Sequence, residues 1–334
     1  EVVAELGELL VVVVGRRADR GRRRGRVVDR LEEANACVRD GLLGRLPIEV
    51  AVDHVLEVFG DVEDHGQLNS GVEPGASPGE PADREAGPSF GWINRPVIEK
   101  GLLSDEEKKG TLEEHIYIFG GEERFWLGPE GGQYAIFFKP GTKFEFSDWA
   151  TPPVIDTEPF ELVEQTDASA TFKHRAELLN YSGAEFQLDI ERTVKLLGKQ
   201  EAAELLGVEL GEGLRMVGYE TDNRITNTGS DAWKPETGLL SIWILGMYNP
   251  SPETTVVIPF KKGGEKKLGP RVNDTYFGKV PPEYLQVEKQ KLFFRGDGTR
   301  RGKIGITPQR SKGIAGSYDA AGQVLNLVTY NVQD

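Results

Sequence analysis

Gly120 to Phe138, GGEERFWLGPEGGQYAIFF, is the stretch on which the fold turns. Two aromatic runs flank a Gly-Pro-Glu-Gly-Gly turn. On a strand, alternate side chains share a face, so Arg124 and Trp126 project together while Phe125 and Leu127 project the other way. The second run alternates too, with Tyr134, Ile136 and Phe138 opposing Ala135 and Phe137. Gly128, Gly131 and Gly132 allow close backbone approach, and Pro129 presets a turn. The stretch predicts a β-hairpin with Arg124, Trp126 and Glu130 gathered near one end. Such a trio suits a polyhydroxylated ligand. An indole covers the C–H face of a sugar ring, and carboxylate and guanidinium bond hydroxyl pairs. A core hairpin with an ordinary charged turn accounts for the same residues, and the sequence leaves both readings open.

Outward from this stretch, the chain after Ser89 reads as strands. Lys143–Trp149, Ala170–Leu179, Glu185–Leu197, Leu214–Asn227, Gly238–Tyr248, Thr254–Phe260, Leu285–Phe294, Gly302–Thr307 and Val324–Tyr330 carry the pattern. His115–Phe119 alternates as well. Asn180-Tyr181-Ser182-Gly183 is a turn signal between two of the long strands. Lys199–Leu206 is helical in pattern, and Ile98–Lys109 reads as a short helical insertion. Many short strands without βα alternation predict an all-β, antiparallel sandwich.

Residues 1–88 differ in kind. They hold no Lys, Thr, Tyr or Trp, and Phe59 is their only aromatic residue; eight arginines lie between Arg16 and Arg30. GC-rich DNA read in a shifted frame encodes such a set, which points to a leader unrelated to the sandwich at 89–334. The alternative is a small helical region, with helices at Val27–Leu43 and Leu46–Phe59. Asn69–Pro88 is rich in Gly, Pro, Ser and Glu and reads as a linker.

The chain has 334 residues and a net charge of −14. That balance argues against nucleic acid, whose binding depends on neutralising phosphates. With Cys37 alone, there is no internal disulfide and no cysteine-built metal site. Leu9–Val14, the one near-continuous apolar run, is too short to span a bilayer. No P-loop, serine elbow, paired-histidine zinc motif or dinucleotide fingerprint occurs, so neither a metal nor a cofactor is expected.

A set of motifs carries a resemblance over about 89–330. They are SFGWIN (89–94), ERFWLGPEGGQ (123–133), TPPVIDTEPF (151–160), LNYSG (179–183), NRITNTG (223–229), GLLSIWILGM (238–247), TTVVIPF (254–260), YFGKVP (276–281) and GSYDA (316–320). Together they resemble an uncharacterised bacterial family, a domain of unknown function of the galactose-mutarotase-like, aldose epimerase-like β-supersandwich type. The resemblance implies a large antiparallel sandwich with a concave sheet that takes a sugar or glycan. It also implies further strands at both ends, so the sandwich is expected to be incomplete here.

Mutarotation takes a proton from the anomeric hydroxyl and gives one to the ring oxygen, work for a histidine and a carboxylate. After residue 88 the only histidines are His115 and His174, and neither stands in a mutarotase-like motif. Glu130 and His174 are the catalytic candidates. The base carboxylate of mutarotases lies in the C-terminal continuation, so this chain is expected to be inactive. The candidates for substrate binding are Arg124, Trp126 and Glu130, then Trp92, Asn94, Asn223, Asn227, Asp274, Tyr276, Arg310 and Asp319. Each has a structural reading as well: Trp92 as a core anchor, Asn223 and Asn227 as turn formers, Asp274 as a loop cap. The expected function is carbohydrate binding by a relative of aldose 1-epimerases. A non-catalytic accessory module of polysaccharide breakdown and a purely structural sandwich are the alternatives.

Overall fold

A computed structural model describes residues 3–5, 9–15, 104–108, 123–210, 215–322 and 324–332. The described residues fall into two compact units. One holds 3–5, 104–108, 123–195 and 221–249, the other 9–15, 196–210, 215–220, 250–322 and 324–332. The architecture is all-β and sandwich-like with antiparallel sheets, and no barrel closes among the described residues. Strands and helices are numbered along the chain.

In the first unit, β5 (Ser169–Leu179) and β6 (Glu185–Leu196) form a long antiparallel hairpin in which Ala176 faces Leu188 and Leu178 faces Phe186. Alternation made both legible: Phe186, Leu188 and Ile190 are buried, and Gln187 and Asp189 are exposed. The expected turn at 180–183 closes the pair. Gly183 takes a positive φ of 84° there, a conformation closed to most side chains. Asn180, fully buried, donates to the Thr237 carbonyl at 2.8 Å and accepts from the Ala184 N–H at 2.9 Å. β4 (Glu161–Gln165) pairs with β5, and β1 (Val3–Glu5) pairs with the end of β7 (Arg215–Asn227), which lies beside β6.

β3 (Glu123–Gly128) is the predicted first arm of the hairpin, but its partner is β8 (Ser241–Gly246), with Trp126 opposite Trp243. The expected second arm, 134–138, is not a strand. Ala135 donates to the Gly132 carbonyl at 3.0 Å and Ile136 to that of Pro129 at 3.1 Å, so the glycine-rich segment folds into turns. Ala135, Ile136, Phe137 and Phe138 are all buried, with no alternation between them. Lys143–Trp149 is likewise no strand and contains a 3-10 turn, Phe146–Asp148. The core of this unit joins Phe125 and Leu127 to Ala176, Leu178, Phe186, Leu188, Ile190 and Ile225. Burying each large aliphatic or aromatic side chain contributes roughly 1.5–3 kcal/mol. Two short helices belong here, α1 (Asp105–Lys108) and α2 (Pro153–Asp156), the latter packed on β3.

The second unit is a sheet in the order β10 (Leu285–Val287), β11 (Lys291–Arg295), β9 (Thr254–Pro259), β12 (Ile314–Asp319), β13 (Val324–Tyr330) and β2 (Leu9–Gly15). All neighbours are antiparallel. The single strand expected over 285–294 is a tight hairpin instead, broken where the Glu288 N–H bonds the Lys291 carbonyl at 2.9 Å. Gly302–Thr307 contributes one bridge, Asn273 to Gly305, and no strand. α3 (Lys199–Leu206) forms where its pattern predicted. It ends at Gly207, whose φ of 68° is the left-handed cap that glycine favours. α4 (Glu265–Leu268) is a single turn.

The expected helices at Val27–Leu43 and Leu46–Phe59, the linker from 69, and the strand at His115–Phe119 lie outside the described residues. So do Trp92, Asn94 and His115. Among the described residues no helix is long and apolar enough to cross a membrane, which leaves β-barrel spans unaddressed.

Candidate functional site

Arg124 and Trp126 do project together from β3, as alternation requires, and both reach Asp156 on α2. Arg124 Nη2 lies 3.0 Å from Asp156 Oδ1, and the Trp126 indole N–H donates to the same oxygen at 3.3 Å. The trio expected to face a ligand is nevertheless not an open platform. Trp126 is 7% exposed and packs among Phe137, Trp149 and Trp243, with ring centroids 5.4–6.0 Å away. The apolar run 135–138, folded back rather than paired, covers that face of β3. Burial pushes the Asp156 carboxyl above the usual carboxylate range, and Arg124 and the indole N–H oppose that shift. Burial lowers Arg124, and Asp156 offsets this in part. Glu130 is half-buried at the turn.

The opposite face of β3 carries a second polar group, of which the sequence reading names only Asn223 and not Arg192, Glu123 or Thr221. Arg192 Nη2 donates to Glu123 Oε1 at 2.6 Å, and Thr221 Oγ1 donates to the same oxygen at 3.1 Å. Asn223, buried, donates to Thr221 Oγ1 at 3.1 Å. A signal was there to read. Arg192 has the parity of Phe186, Leu188 and Ile190, and Glu123 that of Phe125 and Leu127, so each is a charge written onto an apolar face. His174 lies on this side too. It stacks on Phe160 at 4.8 Å, Phe160 meets Phe125 edge-on, and His174 Nε2 is 3.5 Å from Glu158 Oε2. His174 is therefore separated from Arg124 by the thickness of β3.

Three other candidates are held in structural bonds. Asn227 Nδ2 donates to the Asp231 carbonyl and its Oδ1 accepts from the Gly229 N–H, closing the turn after β7. Arg310 is buried and spends its guanidinium on the carbonyls of Gly269, Pro270, Lys261 and Gly263 at 2.9–3.2 Å. Asp319 accepts from the Ala321 and Gly322 N–H groups at 3.1 Å each and caps the β12–β13 turn.

Asp274 and Tyr276 are placed differently. They sit in a loop of the second unit that runs from Asn273 to Val280. Asn273 is pinned to Gly305 by a bridge and accepts from both the N–H and the hydroxyl of Thr275. Val280 is buried with Phe260, Leu285 and Leu292, and its N–H bonds the Asp274 carbonyl at 3.0 Å. Gly278 makes the return with a φ of 88°. Asp274 is buried, and both of its oxygens lie near Lys279 Nζ, at 2.8 and 2.6 Å. Between these anchors Tyr276 and Phe277 stand out, 52% and 44% exposed, with their rings edge-to-face at 4.7 Å. Asp274, Lys279, Arg271 and Glu265 line an adjoining hollow of about 430 Å³. Among the described residues no group of three His, Cys, Asp or Glu side chains is placed to hold a metal ion.

The profile of a family of unknown function matches residues 80–334. No curated protein and no solved structure matches.

Proposed function

The chain belongs to that family, DUF6786, and from this premise we propose that it is a carbohydrate-binding protein of the galactose-mutarotase-like type. The observation that carries the reading is the Asn273–Val280 loop. Two adjacent aromatic rings are held out by a turn fixed at both ends, beside a hollow in which Glu265, Arg271, Asp274 and Lys279 interrupt a mainly apolar wall. A ring face takes the C–H face of a sugar, and the charged groups take its hydroxyls. A rigid aromatic side chain also gives contact area at small entropic cost. Binding is favoured over aldose epimerisation because the described residues of the second unit, which carries this loop, include no histidine to move the proton.

The test is to titrate the whole protein with a panel of oligosaccharides by calorimetry, alongside the Tyr276→Ala/Phe277→Ala variant. The expected result is binding of at least one saccharide, weakened about tenfold or more in the variant, a loss of about 1.4 kcal/mol. Saccharide binding unaffected by the double substitution would move the site elsewhere. No binding at all would remove the carbohydrate reading.

A further inference from the structure

We propose that the loop 261–271 of the second unit is a docking surface for an anionic lipid bilayer, met reversibly at its headgroups; the inference does not rest on the carbohydrate reading above. Its origin is a concentration of charge. The chain carries −14 overall, yet residues 261–271, KKGGEKKLGPR, hold Lys261, Lys262, Lys266, Lys267 and Arg271 against the one carboxylate of Glu265. All five cations are exposed. Among the described residues, their side chains form no hydrogen bond and no ion pair.

A buried side chain holds these cations together. The Arg310 guanidinium donates to the carbonyls of Lys261 at 3.0 Å, Gly263 at 3.2 Å, Gly269 at 2.9 Å and Pro270 at 3.0 Å. One guanidinium reaches all four only if both ends of the segment converge on it, so 261–270 is a closed loop and not an extended run. Thr307 Oγ1 donates to the Leu268 carbonyl at 2.6 Å and fixes the far side. Between these ties α4 turns the chain, the Gly269 N–H bonding the Glu265 carbonyl at 2.8 Å. With the carbonyls drawn inward, the lysines point out from one small surface. Lys312, also exposed, extends it, because the Lys261 N–H bonds the Arg310 carbonyl at 2.7 Å and sets the two segments side by side. Lysines fixed so close repel one another, and an anionic partner relieves that repulsion.

The composition of the loop selects among anions. A protein partner docks on a surface whose centre is aromatic and poor in lysine. Here lysines and glycines are exposed, and the nearest ring, Phe260, is buried. A single nucleic-acid strand needs exposed rings to stack its bases, and residues 261–271 hold none. Lysine is a compact charge on a flexible stem, suited to many headgroups at once. A cluster of this size gains about fivefold in affinity per cation at a negative bilayer surface. The acidic remainder of the chain is repelled by the same surface, which orients the molecule with this loop toward it.

The deciding experiment is cosedimentation of the full chain with vesicles of phosphatidylcholine, and with vesicles of equimolar phosphatidylcholine and phosphatidylglycerol. Partition is expected to be at least about tenfold stronger on the anionic vesicles and to fall as salt rises. Lys261→Gln with Lys262→Gln, Lys266→Gln and Lys267→Gln should bring it down to the neutral-vesicle level. The unfolding midpoint should stay in place, since none of those side chains is bonded. Lys266→Gln with Lys267→Gln should weaken partition more than Lys139→Gln with Lys234→Gln, exposed lysines of the first unit whose loss changes the net charge equally. Equal partition on the two kinds of vesicle, or equal losses in the two double variants, would overturn the proposal. Binding to neither vesicle would overturn it too. Oligothymidylate or polyglutamate held by the wild type and lost in the fourfold variant would then give the loop to a nucleic acid or an acidic polypeptide.

Discussion

Trp126 beside Arg124, and Phe277 beside Arg301, are the same pair of chemical groups in opposite circumstances. In each an arginine stands over an aromatic ring, at 5.4 Å in the first and 4.2 Å in the second. Around β3 the ring is enclosed and the arginine's charge is answered by Asp156, whose side chain is 5% exposed. In the 273–280 loop the ring is nearly half exposed and so is its tyrosine neighbour. Residue type alone therefore does not mark a ligand site. What decides is whether the chain beyond the ring folds back over it, as 135–138 does, or turns away at a glycine, as Gly278 does.

The largest expected effect comes from cutting the enclosed pair. Asp156→Ala leaves the Arg124 charge buried without its carboxylate, which should cost about 3–5 kcal/mol of stability, read from denaturant unfolding. Replacing both partners with apolar residues, Arg124→Met with Asp156→Leu, should restore most of that loss. A single-variant cost below about 1 kcal/mol would be a surface value and would mean the pair is not enclosed.

The second unit has its own enclosed polar group, and it shows that burial rather than location sets the behaviour. Tyr318 is 6% exposed, and burial pushes its hydroxyl from 10.0 up to about 12, with Asp319 and Glu253 adding to the shift. The folded state keeps this proton longer than the unfolded state does. Its contribution is therefore full below pH 10 and is lost as pH rises toward 12. The expected loss is on the order of 1–2 kcal/mol after allowing for screening by solvent. Tyr318→Phe should remove that part of the alkaline slope, and an unchanged slope would place the titration elsewhere.

At the exposed end, Gly278→Val forces a branched side chain into a left-handed backbone. Nothing lies within 4 Å of its Cβ position, so the cost is conformational, about 1–2 kcal/mol, and not steric crowding. Saccharide affinity should fall with it, because Tyr276 and Phe277 would be re-aimed.

Much of this fold was legible, and the reasons for the exceptions are physical. β5, β6, β7 and α3 follow their periodicities because each has one more buried side and one wetter side. The run 134–138 misleads because four consecutive residues of it, 135–138, are buried, so its aromatic spacing carries no face. β4 leaves no trace in the sequence pattern because all five of its residues are exposed. The partner of β3 could not be read locally, since Trp243 is over a hundred residues from Trp126. In the candidate site, Asp274 and Tyr276 were singled out as polar and aromatic residues near turns, but Phe277 and the cations over both rings depend on the distant segment 295–303. Arg192 and Glu123 could have been found by noting charges in apolar register.

The smallest expected effect on stability is also the one that separates the two aromatic sites most cleanly. Tyr276→Ala and Phe277→Ala remove side chains that are half in water already, so each should cost no more than about 0.5 kcal/mol in unfolding. Trp126→Ala, which opens a cavity among Phe137, Trp149 and Trp243, should cost roughly 3–5 kcal/mol. Binding should rank them in reverse. The loop variants should lose saccharide while keeping the wild-type unfolding midpoint. Trp126→Ala, examined at a temperature where it remains folded, should keep its saccharide affinity. If loop and core variants lost stability in equal measure, the 276–277 pair would be part of a packed interior. Its exposure would then be no argument for a ligand.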